Sequence, residues 1–273
     1  MTDRILLSID AGVAEVRLNR PEKMNAIDPA MFEALVTVGK RLMNEADLRA
    51  VVLSGEGRAF CAGLDMASMA GLASNDAGSG ISAGRLAKRT HGAANLPQYA
   101  CTVWRDLPVP VLAAVHGVAY GGGLQIALGA DVRYVAADTR LSVMEIKWGL
   151  VPDMGGMALT RGLVRADRLR ELIYSGRVVN GEEAFALGLA THVVDDPRAA
   201  ALAAARDIAQ KSPDAIRAGK RLMRVAEDGD TPAILLAESV EQDRLIGTVN
   251  QREAVLAGMQ NRAPVFQPAA KSE

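Results

Sequence analysis

The chain has 273 residues, and its 31 basic and 32 acidic side chains give a formal net charge of −1 at pH 7, which removes any electrostatic case for binding nucleic acid or an anionic membrane. A chain of this length buries roughly three quarters of the surface that it exposes when unfolded, so it needs neither metals nor disulfides to fold. Its two cysteines, Cys61 and Cys101, and an N-terminus without a signal-peptide pattern predict a cytoplasmic protein with free thiols.

The first part of the chain predicts strands and a helix in alternation. Alternating apolar residues at 5–9 and 13–18 predict a hairpin, and an Asp-Pro pair predicts the N-cap and first residue of a helix over 28–45. Residues 50–54 predict a short buried strand. The two glycines that follow resemble a dinucleotide-binding fingerprint, but Phe60 stands where the third glycine would be, and no phosphate-binding GKS or GKT occurs.

Two glycine turns follow strand-like segments and are the chain's candidate chemical sites. Residues 60–66, FCAGLDM, predict a strand, a turn and a helix, and residues 110–131, PVLAAVHGVAYGGGLQIALGAD, repeat this order around three glycines. Glycines at the mouth of a buried helix expose N–H groups, so such a turn either holds an anion or a developing oxyanion or is simply tightly packed. The second run is long enough for a membrane helix, but its proline and glycines would break a helix in lipid.

The other segments complete an α/β body with a helical tail. Residues 68–98 are small and polar and predict either an active-site lid or a solvated insertion. Extended segments are expected at 132–136, 141–145 and 191–194, and helices at 157–163, 166–175 and after Asn180. Only helices are predicted from residue 197 onward. The predicted division is therefore an α/β core at 1–196 and a helical region at 197–273.

Five collinear motifs resemble the enoyl-CoA hydratase/isomerase (crotonase) family over residues 4–260. They are NRPEKMNAI at 19–27, GRAFCAGLDM at 57–66, AVHGVAYGGGLQIALGADVR at 114–133, MEIKWGLVPDMGG at 144–156 and GRVVNGEEAFALGL at 176–189. The resemblance implies a spiral of ββα units with a helical C-terminal trimerisation region, assembled as a homotrimer or homohexamer. It also implies an acyl-CoA thioester substrate, with no metal and no redox cofactor, because CoA is part of the substrate.

The resemblance also assigns a site. It implies that the backbone N–H groups of Leu64 and Gly122 hold the thioester oxygen while an enolate forms. The residues that it aligns with the CoA-binding segments are Lys23, Met24, Ala26, Ala62, Gly63, Leu64, Asp65, Met66, Gly121 and Gly122. Arg20, Lys23 and Arg58 are either phosphate contacts or solvated charges. Cys61 is expected in the core, and His116 and His192 are expected to be structural.

The acid and base groups depart from the family's hydratase pattern. Hydratases of the family usually carry two glutamates, at the positions that are Gln125 and Glu145 here. A glutamine orients a water but cannot take its proton, so two-carboxylate hydration is in doubt. Glu145 alone suffices to move a proton from C2 to C4, and its apolar neighbours are expected to raise its pKa. Asp153 matches an aspartate of the family's dienoyl-CoA isomerases and is either a second acid or base or the cap of a helix near Gly155.

The sequence therefore favours an enoyl-CoA isomerase that uses Glu145. A 2-enoyl-CoA hydratase using Glu145 with Gln125 and Asp153, and a dienoyl-CoA isomerase, stay open as alternatives. A catalytically silent acyl-CoA-binding protein is the alternative from another class; Gln125 suggests it, and the presence of Glu145 argues against it.

Overall fold

A computed structural model describes residues 4–73 and 86–269. The strands in these ranges are β1 (Ile5–Asp10), β2 (Val13–Leu18), β3 (Ala50–Gly55), β4 (Val111–Val115), β5 (Val118–Tyr120), β6 (Val132–Val135), β7 (Arg140–Ser142) and β8 (His192–Val193). The helices are α1 (Pro29–Met43), α2 (Met66–Ala73), α3 (Leu96–Asp106), α4 (Gly122–Leu128), α5 (Gly156–Leu159), α6 (Ala166–Ser175), α7 (Gly181–Leu187), α8 (Pro197–Ala209), α9 (Pro213–Asp228), α10 (Thr231–Leu245) and α11 (Val249–Met259). Short 3-10 helices span Pro21–Lys23 and Glu145–Trp148.

The larger sheet has the strand order β1-β2-β3-β4-β6-β8. The predicted β1–β2 hairpin is antiparallel, and every later pairing in this sheet is parallel. Parallel strands are covered on both faces, which explains why β4 is apolar along its whole length and β3 is apolar from Ala50 to Leu53, without alternation. The sheet is therefore the buried centre of the molecule.

A smaller sheet pairs β5 with β7 in parallel. Single bridges extend it at both edges, from Cys61 to Ala119 of β5 and from Leu141 of β7 to Val179. Each passage of the chain thus contributes one strand to the larger sheet and one extended piece to the smaller sheet before a helix follows. This arrangement is a spiral of ββα units.

The two faces of the larger sheet pack against different helices. Alternate residues of β3 and β4 face a small cluster that includes Ala201 and Ala205 of α8. The opposite residues join the main core with α1, α3 and α4, where Trp104 and Phe60 are among the largest fully buried side chains. Because α8 covers the sheet, the first helix beyond residue 196 packs with the α/β core, and the domain division at 196/197 stays a prediction.

The C-terminal helices follow α8. Lys220 of α9 is buried and donates from Nζ to the carbonyl oxygens of Trp104 and Val109 and to Asp131, which fastens α9 to the body. α10 packs along α9, and its N-cap is Asp230, because the Asp230 carboxylate accepts the Ala233 N–H. Large apolar side chains of α10 and α11 are exposed, at Leu235, Leu236, Val255, Leu256 and Met259.

Residues 110–131 form β4, β5 and α4, in agreement with the sequence argument against a membrane span; among the described residues, no helix is both long and apolar enough to cross a bilayer. Two other expectations need correction. Residues 60–66 form two isolated bridges, from Cys61 to Ala119 and from Leu64 to Ile27, instead of beginning as a strand, and the helix expected over 157–163 is only the short α5. The segment 68–98, for which the sequence predicts either an active-site lid or a solvated insertion, lies partly outside the described residues, at 74–85.

Candidate active site

Two of the predicted motifs meet as a short parallel pair. The Ile27 N–H donates to the carbonyl oxygen of Gly63, and the Asp65 N–H donates to the carbonyl oxygen of Ile27, both at 2.8 Å. The Ala62 N–H donates to the carbonyl oxygen of Met24 at 2.9 Å. The predicted CoA-binding segments 23–26 and 62–66 therefore lie side by side, with the Leu64 N–H between two residues that the pairing fixes.

An ion pair supports this pair of segments from one side. Arg20 donates from Nη1 to Asp65 Oδ2 at 2.8 Å and to the carbonyl oxygen of Ala26 at 3.0 Å. Asp65 also accepts the Ala67 N–H at the start of α2. Burial opposes ionisation of Asp65, but these hydrogen bonds outweigh it and lower its pKa. Arg20 is thus tied to protein partners, unlike the exposed Lys23 and Arg58, which remain candidates for phosphate contact.

Gly63 allows the two segments that carry the expected oxyanion donors, Leu64 and Gly122, to lie close together. Gly63 has a φ of +90°, and a Cβ placed on it would lie 2.7 Å from the Tyr120 carbonyl oxygen and 3.9 Å from Gly122 N. Only a residue without a side chain permits this approach. Neither the Leu64 N–H nor the Gly122 N–H donates to another residue in the described part of the chain. Two unpaired backbone donors on neighbouring segments can hold one anionic oxygen.

Glu145 lies against this turn. It begins a 3-10 helix shortly after β7, and a Cβ placed on Gly121 would lie 3.3 Å from its Oε1 and 3.8 Å from its Oε2. The Oε2 atom is buried and has no hydrogen-bond partner within the described residues. Burial raises the pKa of Glu145, the charge of Asp153 adds to that effect, and hydrogen bonds from its own N–H and from Gln125 oppose it. The expectation of a raised pKa is confirmed in direction.

Gln125, on α4, is only 3% exposed, and its amide is occupied by protein partners. Its Oε1 accepts the N–H groups of Met154 and Gly156 at 2.9 and 2.8 Å, and its Nε2 donates to Glu145 Oε1 at 2.6 Å. In the reverse amide orientation, Oε1 would face the Glu145 carboxylate oxygen and Nε2 would face the two backbone N–H donors. These repulsive contacts fix the orientation of the amide. The side-chain oxygen of Gln125 is therefore not available to orient a water, contrary to one sequence-based alternative.

Asp153 does not cap the following helix. The N-cap of α5 is Gly155, which makes no side-chain bond and has a φ of +92°. A left-handed glycine makes the tight entry to α5, so the cap predicted for Asp153 is wrong. Asp153 is instead partly buried, and burial raises its pKa, opposed by its own backbone N–H. The structure thus brings together two carboxyl groups that are harder to ionise than free ones.

Apolar side chains surround the inner side of the Glu145 carboxylate. They form a small recess lined mainly by Leu124, Leu128, Val143, Leu169 and Ile173.

Burial raises the pKa of the Cys61 thiol to about 12, so Cys61 is a core residue and not a nucleophile. Across residues 4–73 and 86–269, no group of three or more His, Cys, Asp or Glu side chains is arranged to hold a metal ion.

Comparison with known proteins agrees with this geometry. The sequence profile of the family described as enoyl-CoA hydratase/isomerase matches residues 8–268. The chain belongs to the enoyl-CoA hydratase/isomerase family. It is 33% identical over 254 residues to the mitochondrial Delta(3,5)-Delta(2,4)-dienoyl-CoA isomerase of Mus musculus, covering 92% of this chain and 77% of that protein. It is 28% identical over 262 residues to the mitochondrial methylglutaconyl-CoA hydratase of Mus musculus, covering 93% of this chain and 79% of that protein.

The fold comparison gives the same family. The crystal structure of an enoyl-CoA hydratase from Bacillus anthracis superposes with a TM-score of 0.86 at 28% identity, covering 96% of this chain and 98% of that chain. The predicted crotonase-like α/β fold with a helical C-terminal region is confirmed. The chain is an enzyme of the enoyl-CoA hydratase/isomerase kind, whose relatives include both hydratases and dienoyl-CoA isomerases.

Sequence reasoning missed two features of this site. It did not find the Arg20–Asp65 pair, because the two residues are far apart in the chain. It also missed Gly156, on which a Cβ would lie 2.7 Å from Gln125 Oε1. The adjacent glycines of the MGG motif were the available signal, since a pair of glycines often marks a close backbone approach.

Proposed function

We propose that this member of the enoyl-CoA hydratase/isomerase family is an enoyl-CoA isomerase with Glu145 as the proton shuttle. The observation that carries this proposal is the Glu145 carboxylate, which lies against the oxyanion turn at Gly121 and whose buried Oε2 has no hydrogen-bond partner among residues 4–73 and 86–269. A carboxylate with a raised pKa suits this task, since it takes a proton from a weak carbon acid and returns it elsewhere.

The reaction follows from the positions of the donors and the base. The thioester oxygen of the substrate accepts the N–H groups of Leu64 and Gly122. Glu145 removes a proton from C2, the electrons move to the oxygen, and the resulting dienolate is stabilised by the two donors. Glu145 then returns the proton at C4, and the double bond moves from C3 to C2. Only a proton and a double bond move, so the proposal includes no cofactor beyond the CoA of the substrate.

A second candidate is dienoyl-CoA isomerisation, and Asp153 is the observation that favours it. A 3,5-dienoyl to 2,4-dienoyl conversion removes a proton at C2 and adds one at C6, which is distant enough to need a second acid. Asp153 supplies a partly buried carboxyl with a raised pKa, near enough for its charge to raise the pKa of Glu145. The mouse relative that carries the dienoyl-CoA isomerase name supports this candidate.

Hydration is less favoured by the same contacts. Adding water to a 2-enoyl substrate requires a group that holds and deprotonates the water, and Gln125 can do neither with its oxygen occupied. A silent acyl-CoA-binding protein is also less favoured, because binding alone gives no reason to keep Glu145 in a desolvated position.

The assembly and location of the protein complete the proposal. We propose a homotrimer or homohexamer in which α10 and α11 contribute to contacts between copies, supported by their exposed apolar side chains. A cytoplasmic location is supported by the buried, unpaired Cys61 and Cys101. Exposed Lys23 and Arg58 are proposed to contact the phosphates of CoA.

The test uses purified protein in deuterated buffer with a 2-enoyl-CoA, a 3-enoyl-CoA and a 3,5-dienoyl-CoA supplied separately, and identifies products by mass. Isomerisation of the 3-enoyl substrate, with loss of activity in Glu145→Gln, supports the main proposal. Conversion of the dienoyl substrate alone selects the second candidate. Hydration of the 2-enoyl substrate at a rate above both isomerisations would overturn the assignment, and binding without C2 proton exchange would identify a silent protein.

A further inference from the structure

Gln125 connects three parts of the candidate site through one side chain. It belongs to α4, whose first residue supplies an oxyanion donor, and it reaches both the Glu145 carboxylate and the turn at residues 154–156. All three contacts are short, and Gln125 itself is buried. A buried amide with its oxygen doubly accepted and its nitrogen donating to a carboxylate has a fixed orientation.

The contact with Glu145 is asymmetric. Gln125 donates to Oε1, while Oε2 is buried without a partner in the described residues. Of the two oxygens, one is thus held and the other is the one that can exchange a proton with a substrate. The same hydrogen bond favours the ionised form of Glu145, against the burial that favours the neutral form.

Gly156 shows that this arrangement is built into the backbone. A Cβ at residue 156 would lie 2.7 Å from Gln125 Oε1 and 3.0 Å from its Cδ and Cγ, so only glycine leaves room for the amide. The Met154 and Gly156 N–H groups, at the entry to α5, in turn need Gln125 as their acceptor. The loop and the side chain therefore position each other.

We propose that Gln125 is a positioning residue that holds Glu145 Oε1 and leaves Oε2 as the proton-transferring oxygen. Because the hydrogen bond from Gln125 stabilises the ionised carboxylate, its removal is expected to favour the neutral form of Glu145. The inference rests on the proposed function in that Glu145 is the base. It assigns Gln125 no contact with substrate, and it differs from the role of a water-orienting group.

Two variants of nearly equal side-chain length test this role. Gln125→Met removes the donor to Glu145 and the acceptor for both N–H groups. Gln125→Glu keeps the acceptor and the shape but places a second carboxyl beside Glu145. Thr160→Val is the matched control, because Thr160 Oγ1 donates to the Gly156 carbonyl oxygen at 2.7 Å and thus supports the same turn without a hydrogen bond to Glu145.

The first measurement is the pH dependence of C2 proton exchange with a saturated acyl-CoA, which reports on the base without requiring a double bond to move. In Gln125→Met, the acid limb of kcat is expected to move up by roughly 0.5 to 1 pH unit, a loss of about 3- to 10-fold below the limb, with KM within about twofold. Gln125→Glu is expected to move the limb further upward, because like charges disfavour ionisation. Thr160→Val is expected to keep the wild-type limb.

The second measurement titrates the carboxyl band of Glu145 by infrared difference spectroscopy, assigned through Glu145→Gln, and needs no substrate. An upward shift of its midpoint in both Gln125 variants, absent in Thr160→Val, supports the proposal. An unchanged or lowered midpoint in Gln125→Glu overturns the proposal. This variant retains the acceptor for the turn, so it tests the proposal even if Gln125→Met does not fold. A wild-type protein that isomerises no enoyl-CoA would reject the proposed function, while this titration would still decide the role of Gln125.

Discussion

The ion pair behind the oxyanion turn gives a prediction that separates stability from catalysis. In Arg20→Ala, Asp65 loses a partner at 2.8 Å in a pair whose side chains are only 13% and 12% exposed. Removing one member of a buried pair costs about 3–5 kcal/mol, and the partial exposure of this pair places the expected loss of unfolding free energy near ~3 kcal/mol. The carbonyl oxygen of Ala26 also loses its hydrogen bond from Arg20.

The kinetic effect follows from the position of Leu64. The Leu64 N–H immediately precedes Asp65 in the chain, so this donor can move once Asp65 loses its contact with Arg20. A displacement of about 1 Å at a reacting group lowers the rate on the order of 100-fold. We expect kcat for isomerisation to fall about 10- to 100-fold. Arg4→Ala is the control, because Arg4 pairs with Asp28 at 2.6 Å in the same cluster but does not contact Asp65.

The assays are urea unfolding and steady-state kinetics on the same preparations. A folded Arg20→Ala protein with the kcat of Arg4→Ala would refute the positioning role, whatever its stability. The pH dependence of the unfolding free energy gives a second test. Because hydrogen bonds lower the pKa of folded Asp65, its stabilising effect is present above its unfolded pKa of about 3.9 and is lost as the pH falls through the folded pKa. The stability difference between wild type and Arg20→Ala should therefore shrink in acid.

Four further outcomes test the site by single substitutions. Glu145→Gln should lower the isomerisation rate about 100- to 10,000-fold. Because burial raises the pKa of folded Glu145, the stability of the wild type falls as the pH rises through that pKa. Unfolding curves should therefore show the variant gaining stability relative to wild type at neutral pH but not in acid. Asp153→Asn should spare 3-enoyl-CoA turnover and lower dienoyl-CoA turnover by about 100-fold if Asp153 is the second acid, as product analysis would show. Gly156→Ala should lower the free energy of unfolding by about 1–3 kcal/mol and abolish most activity, because the added Cβ displaces Gln125. Gly219→Ala is the control: a Cβ there meets open space, so thermal melts should show a neutral or slightly stabilising effect. Gln125→Glu should gain hydration of a 2-enoyl-CoA measured by product mass, and an unchanged hydration rate would contradict the role given to the missing carboxylate.

Local signals predicted the elements whose ends are fixed locally. The cap at Asp28 accepts the Met31 N–H, and the cap at Asn180 accepts the Glu183 N–H, so α1 and α7 begin where their capping residues indicate. The strand expected at the start of 60–66 is reduced to isolated bridges, because Cys61 pairs with Ala119 and Leu64 pairs with Ile27, so no single partner strand runs along the whole segment. A run of apolar residues shows that a segment is buried, but whether it becomes a strand depends on a neighbour elsewhere in the chain.

The candidate residues of the site were predictable as a set, but their contacts were not. The family motifs identify Gln125, Glu145 and Asp153, yet the chain alone does not show that the Gln125 oxygen is occupied by the turn before α5. It also does not show that Gly155, and not Asp153, is the N-cap of α5. The Gln125 contacts join residues 29 and 31 positions apart in the chain, a separation for which no local sequence pattern exists.

The register of the smaller sheet explains why the site's parts come from successive passages of the chain. β5 and β7 pair with Tyr120 opposite Ser142, and the Gly121 N–H donates to the Ser142 carbonyl oxygen just beyond that pairing. Gly122 follows the one strand and Glu145 follows the other, so their separation is set by strand register and not by the loops. A shift of one residue in either strand would move Glu145 by about 3.3 Å, more than the tolerance of a proton transfer. If the proposed function is right, the parallel pairing of β5 and β7 is therefore itself a requirement for catalysis.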